Sequence, residues 1–243
     1  MRKLILILLF IPVISFSQGF NWQYDPRMPF DYPDLFVNID INYGRSFHNS
    51  DFSFLEKRVV CTDITGGSGN EFSLGFGAEY WHSQKITFTG SLNYMYLSGT
   101  FTSPEVYPRK EYDLETEYIF DAGLHYAELE AGVKHRLLGT KFFAGGTLGF
   151  NIFLSEDNSF REEKIAPVHD PFRDRNIEDA SIGNLTTVVL IPSLYLGYDL
   201  NLGKSKYGSV YLKASTAINS MISSESWRAT GVSVGVKVNR AVF

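Results

Sequence analysis

From residue 35 onward the chain alternates. Eight segments, roughly 35–48, 71–81, 85–98, 118–137, 140–154, 185–200, 206–220 and 228–241, place an apolar side chain at every second position. A period of two marks a β-strand whose two faces meet different surroundings. No helical period of useful length competes with it, and Gly, Asn, Asp and Ser separate the runs. The pattern predicts an all-β chain of eight antiparallel strands.

The two faces differ sharply. One carries Val37, Ile39, Ile41 and Tyr43, then Leu74, Phe76 and Tyr80, and so on to Val232, Val234, Val236 and Val238, with no Asp, Glu, Lys or Arg. The other is mostly Gly, Ser, Thr and Asn, with Asp40, Glu79, Glu128, Glu130 and Asp199 set against Lys134, Arg136, Lys213 and Lys237. A soluble barrel would turn the apolar face inward and cover the other with long charged chains. Small residues instead suit the inside of a narrow eight-stranded barrel. Near-balanced charge is what an enclosed polar interior requires, because a buried ion persists only when paired. The apolar face then meets hydrocarbon, where closing the sheet satisfies every backbone group. The expected fold is an eight-stranded antiparallel up-and-down transmembrane β-barrel, with those nine charged residues as a structural polar network in the lumen.

Connection lengths agree. The long ones are about 49–70, 99–117 and 155–184; the short ones lie near Trp81–Lys85, Leu138–Thr140 and Asn201–Lys206. Outer-membrane barrels have short periplasmic turns and longer external loops. Tyr80, Phe142 and Tyr198 fall near one end of the strands and Tyr43, Tyr94 and Tyr96 near the other, as interfacial girdles do. Pro192 removes a ladder donor within its strand and predicts a bulge. Leu124 and Tyr126 share parity with Glu128, which predicts either a bulge near Ala127 or a stretch beyond the membrane.

The N-terminus sets the compartment. Arg2 and Lys3, the apolar run Leu4 to Ile14, and Ser15 and Ser17 form a secretory leader with cleavage before Gln18. The run is too short to span a bilayer. The expected plan is therefore a leader at 1–17, a Pro- and aromatic-rich periplasmic segment at 18–34, and the barrel at 35–243. Losing Arg2 and Lys3 takes the formal charge from −5 to about −7, and without a basic stripe nucleic acid is excluded as a partner. Cys61 is the single cysteine, so no intramolecular disulfide is expected. His48, His82 and His169 lack metal-ligand spacing, and no cofactor or metal is expected.

The last strand, "GVSVGVKVNRAVF", must close the barrel against the first. A terminal strand ending in Phe243 resembles the signal read by the outer-membrane assembly machinery, which is thus an expected partner. The stretch "YAELEAGVKHRLLGTKFFAGGTLGFNIFL", residues 126–154, carries a wider likeness through Glu128, Leu129, Lys134, Arg136, Phe143, Gly145 and Gly149. On these residues the chain resembles the PorT-like outer-membrane β-barrel family of Bacteroidota. It departs from the family at Glu130, where Pro is usual, and at His135 in place of Tyr. The resemblance implies an outer-membrane barrel, in a family that includes secretion- and gliding-associated members.

The expected role is non-enzymatic: structural, or binding through the external loops, with outer-membrane lipid around the barrel and a protein partner at 18–34 or 155–184. One alternative is a barrel enzyme acting on outer-membrane lipid, a hydrolase or acyltransferase. It would need a nucleophile, a base and an orienting acid in reach of one another. His125, beside Asp121, is the better base for it than His135. The other alternative is a soluble lipocalin-like binding barrel, with the apolar face lining a cavity.

Overall fold

A computed structural model describes residues 35–55, 58–83, 85–108, 113–137, 141–166, 175–178, 181–203 and 205–242. The expected leader, the 18–34 segment, His169 and Phe243 lie outside the described residues. The strands are β1 (Leu35–Leu55), β2 (Arg58–Trp81), β3 (Ile86–Pro108), β4 (Asp113–Arg136), β5 (Phe142–Glu156), β6 (Ser159–Ala166), β7 (Arg175–Glu178), β8 (Val188–Gly203), β9 (Lys206–Thr216) and β10 (Ser226–Ala241). Eight of them, β1 to β5 and β8 to β10, form a closed antiparallel ring in chain order, and β6 and β7 continue the sheet from the outer part of β4. Closure is between the first and last strands, from Phe36 opposite Ala241 to Asp51 opposite Ser226. This is an eight-stranded up-and-down barrel.

The faces are turned as expected. Phe76 is 63% exposed and Val234 52%, whereas Glu79 and Arg136 are each 1% exposed. Val37, Ile39, Ile41, Leu129, Val133, Leu194, Leu196, Val210 and Leu212 join a continuous apolar band around the outside. Such a band far exceeds the apolar patches of soluble monomers and matches the lipid-facing belt of a transmembrane barrel. The lipocalin-like arrangement is excluded, because the apolar face does not line the interior.

The long connections are where expectation fails. Residues 49–70 and 99–117 are not simply loops: β1 and β2 keep pairing up to Leu55 opposite Arg58, and β3 and β4 up to Pro108 opposite Asp113. Within 155–184 the chain forms β6 and β7. These hairpins are long, 21 to 24 residues per strand, against the 9–11 needed to cross a bilayer. The surplus projects from the end opposite the short turns. Beyond lipid, neither face must be apolar, so the alternation fades while the backbone ladder continues.

Parity also explains the fourth strand. β4 pairs with β3 without interruption, and the register shift near Tyr126 lies in its pairing with β5, where Leu154 is the additional residue. Leu124 and Tyr126 therefore point inward like Glu128, into an apolar cluster with Leu97, Phe101, Phe120, Val189, Met221 and Trp227. At Pro192 no bulge forms. The register with β5 runs straight through it, and the β8–β9 ladder stops at Ser193 opposite Ser215. Beyond that point the Asn219 side chain substitutes for the ladder, its Oδ1 accepting from Leu190 N at 2.8 Å and its Nδ2 donating to Val188 O at 2.9 Å.

Candidate functional site

The interior is layered along the barrel axis. At the short-turn end, Phe36, Trp81 and Tyr207 pack together with ring centroids 5.1 to 5.8 Å apart. The Arg136 guanidinium lies 3.7 Å above the Trp81 ring, so the first polar layer rests directly on this aromatic floor. Asp199 is its centre. It accepts from Lys134 Nζ at 2.8 Å, from Arg136 Nε at 2.9 Å and from Ser209 Oγ at 2.6 Å. Glu79 lies 3.6 Å from Lys134, 3.7 Å from Arg136 and 3.6 Å from Lys237, and it accepts from the Tyr207 hydroxyl.

The next layers repeat the logic with fewer charges. Asp40 accepts from the Tyr211 hydroxyl at 2.7 Å and lies 3.7 Å from Lys237. Lys213 donates to Glu130 at 3.0 Å, and Thr147 donates to the same carboxylate. Glu128 accepts from Asn93 Nδ2 at 2.8 Å. All nine residues expected in the lumen are thus inside it: Asp40, Glu79, Asp199, Lys134, Arg136 and Lys237 form one connected network, Lys213 and Glu130 pair beside it, and Glu128 is held by Asn93. One cavity among them has a volume of about 30 Å³, room for one or two waters. A second space of about 20 Å³ lies between Glu71, Glu128 and Lys213.

Alternation and polarity leave several interior residues unassigned, among them Glu71, Tyr195, Tyr207 and Tyr211. Glu71 is 8% exposed and adds a sixth acid to the four bases. Tyr195, Tyr207 and Tyr211 are all buried inside. All four share parity with residues already assigned inward, so parity would have found them; polarity misled, because tyrosine also belongs in girdles. Glycines on facing strands make the room. A Cβ at Gly145 would collide with the Tyr195 ring, and one at Gly235 with the Tyr211 ring. Large residue and glycine are complementary, as in any close-packed interior.

Above the level of Arg45, which is exposed on the outer face, the apolar cluster closes the opposite end. His48 is set in it. Trp227 Nε1 donates to His48 Nδ1 at 3.0 Å, and His48 Nε2 donates to Ser98 O at 2.9 Å, so the ring is held neutral with its proton on Nε2. Burial lowers the His48 pKa below the ordinary imidazole value, against the opposing pull of the Ser98 carbonyl. With the folded value depressed, the unfolded chain takes up the proton first as pH falls through the ordinary imidazole range, and stability is lost from there downward. The urea midpoint should therefore drop between pH 7 and pH 5 by more in the native protein than in His48→Gln. Equal drops would disprove this role.

The other described histidines are His82, His125 and His135. His125 Nδ1 is 2.5 Å from the Tyr94 hydroxyl, and its ring packs on Tyr96 with centroids 5.0 Å apart. Asp121 is occupied elsewhere, accepting from Thr100 at 2.6 Å and from Arg161 at 2.7 Å. His135 and His82 are exposed at the short-turn end. Among the described residues, no cluster of three or more His, Cys, Asp or Glu could hold a metal ion.

Neither a family model nor a curated protein matches the chain. Among solved structures it is similar to Ail, the attachment invasion locus protein of Yersinia pestis, at 10% identity over 84% of this chain and 97% of that one, with a TM-score of 0.33. Neisserial surface protein A gives 10% identity, 84% and 96% coverage and a TM-score of 0.36. The outer membrane protease OmpT of Escherichia coli gives 10%, 86% and 97%, and 0.38. At these identities and scores no function is carried across from them.

Proposed function

We propose that this is an exported outer-membrane β-barrel without a conducting pore, structural or binding in role, whose working surface is the sheet projecting from the long-hairpin end. The observation that carries it is the filled interior. Aromatic rings pack across one end, an apolar cluster across the other, and among the described residues the polar network between them surrounds spaces of only about 30 and 20 Å³. What remains for outside contact is the projecting wall of β1 to β4 with β6 and β7. On this reading the short turns face the periplasm, the leader directs export, and the last strand engages the assembly machinery. The likeness of residues 126–154 to PorT-like barrels extends the proposal to an accessory of a secretion or gliding apparatus.

Two measurements test it. In planar bilayers the folded chain should give no sustained channel current, and steady porin-sized openings would overturn that reading. On phospholipid vesicles it should release no fatty acid. Release that disappears in His125→Ala would instead favour a lipid enzyme built on the Tyr94–His125 pair.

A further inference from the structure

The outer surface at the short-turn end carries charge of one sign. Lys85 precedes β3, Lys141 precedes β5, Lys206 opens β9 and Arg240 lies near the end of β10, so the four are spread around the ring. Among the described residues the acids at this end, Asp40, Glu79, Glu130 and Asp199, all face the lumen. None of Lys85, Lys206 and Arg240 is paired with a carboxylate there.

Lys206 and Arg240 are directly opposite each other on adjacent strands and both are exposed. Directly opposed like charges on a sheet destabilise it unless an anion lies between them. Immediately inside this rim stand exposed Phe88, Phe142, Tyr80, Leu202 and Val238, the edge of the apolar belt. Cations at that depth stand at the level of lipid headgroups, where each is worth roughly 1 kcal/mol toward an anionic surface.

We propose that this rim binds the phosphates of anionic phospholipid in the periplasmic leaflet, with the Lys206–Arg240 pair as its tightest contact. The inference rests on the transmembrane reading above. The phosphodiester sits between the two side chains, and Lys85 and Lys141 extend the selection around the circumference. The effect is to hold the barrel at a set depth with its short turns inward. The competing occupant is the chain's own 18–34 segment, which contains Asp25, Asp31 and Asp34. Four sites spread around the ring fit a surrounding leaflet better than one tethered segment.

The test is lipid selection by the full chain refolded into phosphatidylcholine vesicles, read with spin-labelled phosphatidylglycerol against spin-labelled phosphatidylcholine. The native chain should prefer the anionic probe about fivefold or more. The preference should fall toward one in molar salt, where screening reaches about 3 Å. Lys85→Gln/Lys141→Gln/Lys206→Gln/Arg240→Gln should lose it, while Arg45→Gln/Arg228→Gln, altered at the opposite edge, should keep it. No preference in the native chain, or loss only in the Arg45/Arg228 variant, overturns the proposal. A preference that rises on deleting residues 18–34 overturns it in favour of that segment as occupant. Failure of the transmembrane reading is separately visible, since no heat-modifiable folded band would form in any vesicle.

Discussion

Asp199→Ala should destabilise the folded barrel by about 3–5 kcal/mol, the cost of stripping the partner from a buried charge. Here one carboxylate serves two cations, Lys134 at 2.8 Å and Arg136 at 2.9 Å, each no more than 2% exposed. Glu79 cannot take over, because it already faces both of them and Lys237 as well. Asp199→Asn, which keeps the shape and loses the charge, should fall between alanine and the native residue. Adding Lys134→Met to Asp199→Asn should recover part of the loss, since residues in one network couple by 0.5–3 kcal/mol, on the order of the effect sought. The readout is the urea midpoint in vesicles at unchanged slope. An alanine variant within about 0.5 kcal/mol of native would show that the network does not carry the interior.

Val234→Lys is the second large effect. Val234 stands on the outer face between Tyr43 and Leu212, about midway along β10 between Arg228 and Arg240. A lysine there must place its ammonium at the depth where it costs about 2–4 kcal/mol. The same residue at Thr230, near the outer edge, should cost about 0–1 kcal/mol, because it reaches water. Comparing folded yield and urea midpoint for the two variants separates a depth effect from a general intolerance of charge. Equal behaviour would remove lipid from the outside of this barrel.

Much of the fold was legible because lipid is a demanding solvent. It forbids charge on one face of every strand and obliges the sheet to close, so strand number, order and facing follow from alternation alone. The nine charged lumen residues could be identified for the same reason. Legibility stopped where that constraint stopped. The hairpins beyond His48 and Ser98 looked like loops because neither face had to be apolar, although the backbone ladder continues. Glu71 was lost at the edge of such a presumed loop.

Inside the barrel the limit was of another kind. Parity states that Asp40, Glu79, Asp199, Lys134 and Arg136 share an interior, but not that Asp199 serves two cations while Glu128 depends on Asn93. Those choices depend on axial level, which strand stagger sets and no single segment records. The apolar cap is similar: Leu97, Leu124 and Trp227 are far apart in the chain and meet only because the ring brings three strands to one height. Sequence by itself thus determined which way each side chain turns, through the contrast between hydrocarbon and an enclosed polar space. Tertiary structure alone decided who meets whom across the lumen, because pairing energies fall off within a few ångströms and only the closed ring brings those distances into being.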